Sequence, residues 1–263
     1  MRTEEIIRLL QPLQLSGQDI VVHGSPAVFG LSDDHAPLVC EALIEAVGSR
    51  GTVVVPTFTH QDTLLGDAPS PVAFYANLPV SEENGVLGEI FRRFPGVVRS
   101  NHPSHSFAAH GHKAALVLST QRDNNPLGPI KKLNVMRGQA LLLGVTLRFC
   151  TALHIAEEAA APAFLARKTA MRINAAGHRE RVVLEQVPGC SVAFDRLEDR
   201  LDPNQVVSTP LPAGTGRRIP IRYVVRLAAT ALADDASALI CSRPDCVSCN
   251  AKRAAIRDRS NAA

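Results

Sequence analysis

The sequence lacks any run approaching the ~20 consecutive apolar residues that a membrane span needs. Its opening, "MRTEEIIRLLQPLQLSGQDIVV", places Glu4 and Glu5 where a secretory signal would be basic, and it contains no unbroken apolar segment. Charge of one sign is also scarce. The 28 Lys+Arg and 25 Asp+Glu leave a net charge of +3, part of it in "NAKRAAIRDR" near the C-terminus. No Lys/Arg stripe interleaved with aromatics accompanies that tail, so neither nucleic acid nor a membrane is an expected partner. Internal repeats, low-complexity linkers, the Walker pattern and G-x-G-x-x-G are absent. So is the G-x-S-x-G elbow, which argues against a serine hydrolase built on the Ser/His-rich segment. The expected setting is cytoplasmic, with the six cysteines mostly reduced.

What is present reads as a folded α/β chain. Hydrophobic residues make up 46% and charged residues 20% of 263, enough for a sizeable core. "DIVVH" (19–23) reads as a buried strand ended by Gly24, "APLVCEALIEAV" (36–47) as a helix, and "TVVVPTF" as a second buried strand. That order predicts a βαβ unit. Residues 60–84 read as a long polar loop, 86–94 as a helix, "QALLLGV" (139–145) as a strand and 151–161 as an Ala-rich helix. "KTAMRIN" and "RERVVLEQV" flank Gly177 as a β-hairpin, and "RRIPIRYVVRLAATAL" reads as a strand running into a helix. The fold class expected is one α/β domain over 1–263, with a central mixed sheet flanked by helices and an antiparallel insertion. A Cys-containing basic tail follows from about residue 241.

Four constellations could carry chemistry. "VVHGSPAVFG" is a loop with two glycines after a buried strand, where exposed amides could hold phosphate oxygens. "RSNHPSHSFAAHGH" gathers His102, His105, His110 and His112, but Pro103 interrupts it and no metal-ligand pair sits on a helix. Arg99, Ser100 and Ser106 in that stretch could bind a ligand or pin the loop. "CSRPDCVSC" offers Cys241, Cys246 and Cys249, one thiol short of a structural zinc site, while Cys40, Cys150 and Cys190 lie apart. No metal site is therefore expected. Finally, "TALHIAEEAA" puts Glu157 and Glu158 within one helical turn of His154, so either carboxylate could hold the ring.

Read in order, these segments resemble the aminoglycoside 3-N-acetyltransferase family, the antibiotic N-acetyltransferases. The matching stretches are "VVHGSPAVFG", "ALIEAVGSRGTVVVPTFTH", "FPGVVRSNHPSHSFAAHG", "NPLGPIKKL" with "QALLLGV", and "TALHIAE". The resemblance implies direct acyl transfer from acetyl-CoA, as co-substrate, to an amine of a small molecule, without a metal. The amine could be an aminoglycoside or a biosynthetic amine. His154 then falls on the general base and Glu157 on its partner, with Glu158 one residue late. His23, Gly24, Ser25, Pro26, Thr57, Ser100, Ser106 and Phe107 would hold the CoA. Homodimerisation is left open. "TLRFC" (146–150) departs from the family's small and polar residues; Arg148 and Phe149 beside the acceptor would disfavour a polycation. The alternative is a non-enzymatic, zinc-stapled binding protein on the same scaffold.

Overall fold

Three apolar runs explain the centre of the molecule. In the computed structural model, which describes residues 1–59, 72–160 and 165–262, β1 (Asp19–Gly24), β2 (Thr52–Pro56) and β6 (Gln139–Leu143) lie side by side and parallel. Their residues alternate between two cores. Val21, Val54, Ala140 and Leu142 face one, and Ile20, Val22, Val53, Val55, Leu141 and Leu143 face the other. A strand covered on both faces must be apolar at every position, which is why these segments read as runs rather than alternations.

Helices supply the covering layers. α1 (Thr3–Leu10) and the crossover helix α2 (Ala36–Val47) pack on the second core, joined by α3 (Gly85–Phe91). α2 carries Pro37 in its first turn and stops at Gly48, whose φ of 66° suits glycine. The first core is covered by α4 (Ala114–Leu118), α5 (Gly128–Val135), α6 (His154–Ala160) and α7 (Ile221–Asp234). The full sheet has seven strands in the order β4-β5-β2-β1-β6-β10-β9. β4 (Val98–Arg99), β5 (Phe107–Gly111), β9 (Val207–Leu211) and β10 (Gly214–Pro220) all pair antiparallel, giving the mixed sheet expected. The insertion is the hairpin of β7 (Ala166–Ile173) and β8 (Arg179–Val187), with β3 (Ala73–Phe74) added parallel to β7.

Some expectations shift. Residues 60–71 of the long loop and Ala161 lie outside the described residues; the rest of that loop contains β3 and a 3-10 turn at Glu82–Asn84. The polar stretch after Val97 contains β4 and β5, whose Ala108 and Ala109 are small enough to hide a strand signal. The basic tail is a helix, α8 (Val247–Ala262).

The parallel strands end together, and such an edge is where open α/β sheets take ligands. Because β5 runs antiparallel, Phe107 pairs with Pro56 and returns the 100–106 loop to this edge. Gly24 closes it: a Cβ there would meet the Leu143 carbonyl oxygen at 2.4 Å, so the glycine is needed for β1 and β6 to converge.

Candidate active site

His154 opens α6, delivered by two 3-10 turns (Leu147–Phe149 and Thr151–Leu153) that follow β6. Its ring is buried edge-on to Phe194, 4.8 Å between centroids. Nδ1 lies 2.6 Å from Oε2 of Glu157, one turn along the helix. The other Glu157 oxygen accepts from Nζ of Lys252 on α8. Glu157 and Lys252 are both 0% exposed. Burial opposes the Glu157 charge, but the His154 hydrogen bond and the Lys252 ammonium outweigh it and hold the carboxyl below its ordinary range. An ionised Glu157 can only accept, so Nδ1 donates to it, and Nε2 is the ring nitrogen that Glu157 does not engage. Glu158 faces elsewhere and pairs with Lys131 at 2.5 Å. The choice between the two carboxylates is thus made by packing.

At the sheet edge, Thr57, Ser106 and Arg99 form a knot. The two hydroxyls sit 3.0 Å apart, and Arg99 Nε donates to both, at 3.2 and 3.1 Å. The same guanidinium donates to the carbonyls of Thr57, Ala76 and Leu78 and lies over the Phe74 ring. Burial lowers the Arg99 pKa to about 10, leaving it charged at neutral pH. Ser100 Oγ accepts from the Phe107 amide, and Ser25 caps a 3-10 turn beginning at Pro26. Of the two roles the sequence left open for Arg99, Ser100 and Ser106, these bonds supply pinning. Phe107 is fully buried, its ring edge-on to Phe58.

His23 and His102 are buried bases, held neutral. Burial brings His23 down to about 4 and His102 to about 3. His102 Nδ1 accepts from the amides of Ser104 and His105, so it organises its own loop. The unfolded chain protonates these rings below pH 6.5, whereas the folded one does not until nearer 4, so the unfolded state binds more protons in between. Stability should therefore be full above pH 6.5 and fall as pH drops through that window, by on the order of 2 kcal/mol per ring at pH 5. Glu157, whose pKa is lowered, adds a further loss below its ordinary value of 4.5. Thermal melts from pH 7.5 to 5 check this; a midpoint flat to pH 5 would contradict neutral burial of the rings.

The loop between β6 and His154 is stapled from outside. Glu198 accepts from the Leu147 amide at 2.6 Å and grips Arg217 with both oxygens, while Asp195 accepts from the Arg148 amide. The Arg148 guanidinium stays exposed beside the half-exposed Phe149 ring.

Two residues central to this geometry escaped the sequence reading. Lys252 comes 95 residues after Glu157 and sits in a segment read as a basic tail. Cys190 follows a Pro-Gly turn with no spacing to tie it to "CSRPDCVSC", yet its sulfur joins those of Cys241, Cys246 and Cys249, all within 4.8 Å of one another.

A mixed α/β sheet with a buried His–Glu pair just beyond β6, the strand beside its centre, is the class these observations define. The chain belongs to the aminoglycoside 3-N-acetyltransferase family, whose model matches residues 21–233. It is 33% identical over 167 residues to aminoglycoside N(3)-acetyltransferase IX of Micromonospora chalcea, covering 56% of this chain and 58% of that one. It is 36% identical over 161 residues to aminoglycoside N(3)-acetyltransferase IV of Salmonella sp, covering 59% and 58%. The matches thus span little more than half the length of these curated relatives. Among solved structures, aminoglycoside acetyltransferase AAC(3)-IVa in complex with a gentamicin superposes with a TM-score of 0.78 at 27% identity, over 97% of both chains. The fold is shared also with AAC-IIIb, solved as a binary complex with CoASH (TM-score 0.76, 22% identity, 89% of this chain and 97% of that one). Among the described residues, no helix is long and apolar enough to cross a membrane.

Proposed function

We propose that this chain is a single-domain CoA-dependent N-acyltransferase that moves an acetyl group from acetyl-CoA to an amine of a small molecule. The observation that carries the reading is the buried His154–Glu157 pair. An ammonium cannot attack a thioester until it loses a proton, and the open Nε2 of His154 accepts that proton while Glu157 stabilises the imidazolium that forms. The amine nitrogen bonds to the acyl carbon, the tetrahedral intermediate collapses, and CoA leaves as the thiol with a proton. CoA is placed at the sheet edge, around His23–Pro26, Thr57 and the 100–107 segment, where the backbone ends of β1 and β2 offer hydrogen-bonding groups. None of the six cysteines is in a disulfide, which suits the cytoplasmic pool of acetyl-CoA.

Aminoglycosides are the first acceptors to test, because the relatives are named for them. The acceptor side nevertheless favours fewer positive charges. Asp195 and Glu198, the acids beside the 145–149 loop, are committed to backbone amides and Arg217, and Arg148 adds an exposed cation. With purified protein and acetyl-CoA, thiol release is expected for amines, with kcat/KM at least ~10-fold higher for a monoamino sugar than for a multiply charged aminoglycoside. Arg148→Ala should narrow that gap. Failure of acetyl-CoA to bind by calorimetry would remove the whole reading, whereas an aminoglycoside preference would overturn only the acceptor assignment.

A further inference from the structure

The four cysteines outside the proposed catalytic machinery form a site of their own. Cys190 comes from the loop after β8, Cys241 and Cys246 from the loop before α8, and Cys249 from its first turn. Three are buried and Cys190 is half-buried, in a small cluster walled by Ala193 and Ile240. Their sulfurs lie within 4.8 Å of one another, and none is in a disulfide. Zinc–thiolate bonds of about 2.3 Å set tetrahedral sulfur–sulfur edges of about 3.8 Å, so closing this group on an ion needs only small side-chain movements.

The surroundings fit a thiolate site. The Val192 amide points at Cys190 Sγ (3.5 Å) and the Cys241 amide at Cys249 Sγ (3.4 Å). The Arg243 guanidinium lies 3.9 Å from Cys190 Sγ, and Arg253 donates to the Cys241 carbonyl. Four thiolates around a divalent ion leave a net charge of two minus, which these groups offset. The approach of the Cys190 loop to α8 is also built in. A Cβ on Gly189 would fall 2.0 Å from Ser248 Oγ, and that hydroxyl accepts from the Cys190 amide at 3.2 Å.

We propose that Cys190, Cys241, Cys246 and Cys249 bind one zinc ion, which clamps the start of α8 and thereby holds Lys252 against Glu157. Four protein ligands close the coordination shell, so the ion takes no part in chemistry. Its role is positional. Lys252 follows Cys249 by one turn, and Ala255 and Ile256 beyond it pack on the main core. The zinc site stands on its own residues; only its bearing on turnover rests on the acyltransferase reading.

The test uses the full chain, purified without metal-affinity resin or chelator. Elemental analysis should find about one zinc per chain, Cys190→Ser and Cys249→Ser should lose it, and Cys40→Ser should keep it. If the serine variants do not fold, the wild-type protein still decides. Cobalt(II) exchanged into it should give the intense visible bands of a tetrahedral thiolate site. Chelation should collapse hydrogen-exchange protection along α8, and zinc should restore it. Metal-free protein that gains no protection on adding zinc would overturn the proposal, as would a disulfide among the four under non-reducing mass spectrometry. Unchanged α8 protection after zinc is stripped would overturn the clamp. None of these readouts depends on thiol release, so the acyltransferase reading stands or falls separately.

Discussion

His154→Ala should lower turnover by about 10²- to 10⁴-fold while leaving acetyl-CoA affinity nearly unchanged, because general-base catalysis contributes on that scale. The split follows from where the ring sits. His154 lies beyond β6 on α6, packed on Phe194 and bonded to Glu157, whereas the groups assigned to CoA lie at the ends of β1, β2 and β5. Alanine removes the lone pair without disturbing that edge. The substitution also leaves Glu157 with Lys252 as its ionic partner, so the carboxylate stays paired and the fold should survive. The measurements are steady-state thiol release and calorimetric titration with acetyl-CoA. Turnover within about threefold of wild type would remove His154 from the base role. Loss of CoA binding in a folded variant would instead place it in the cofactor site.

Lys252→Met should have the largest effect on stability. Removing one partner of a fully buried ion pair leaves the other charge uncompensated, at about 3–5 kcal/mol. For a chain of this size that corresponds to a fall of about 6–20 °C in Tm. Both side chains are 0% exposed, so solvent screening does not soften the loss. The diagnostic comparison is a double variant. Glu157→Gln combined with Lys252→Met removes the stranded charge, and it should be more stable than Lys252→Met alone. Differential scanning calorimetry of the single and double variants checks this. A Tm drop under about 2 °C for Lys252→Met, or a double variant no better than the single, would mean that the pair does not carry the charge balance described.

The contrast between His154 and Lys252 also shows how far sequence could reach. β1, β2 and β6 were legible because burial on both faces forces unbroken apolar runs, and the β7–β8 hairpin because Gly177 marks its turn. His154 and Glu157 were legible because helical spacing is local. The choice of Glu157 over Glu158 needed the family resemblance, and its physical reason, Lys131 opposite Glu158, is visible only in three dimensions. β4 and β5 were missed because "SFAAHG" has little side-chain signal, and pairing with β2 decides its conformation. Lys252 and Cys190 were missed for a different reason. Each acts on residues far away in the chain, and spacing rules carry no information across such distances.

The separation of Glu157 from Lys252 also orders events during synthesis. At about 5–20 residues per second, the ribosome needs roughly 5–20 seconds to add the residues between them. Throughout that interval α6 cannot bury its carboxylate against the ammonium that neutralises it in the finished molecule. Until then Glu157 has only His154 of its two partners, and the face of α6 that takes Lys252 stays open. Completion of this part of the core therefore waits for α8 to be made, and the interval is when the partly made chain is most exposed to chaperones and proteases.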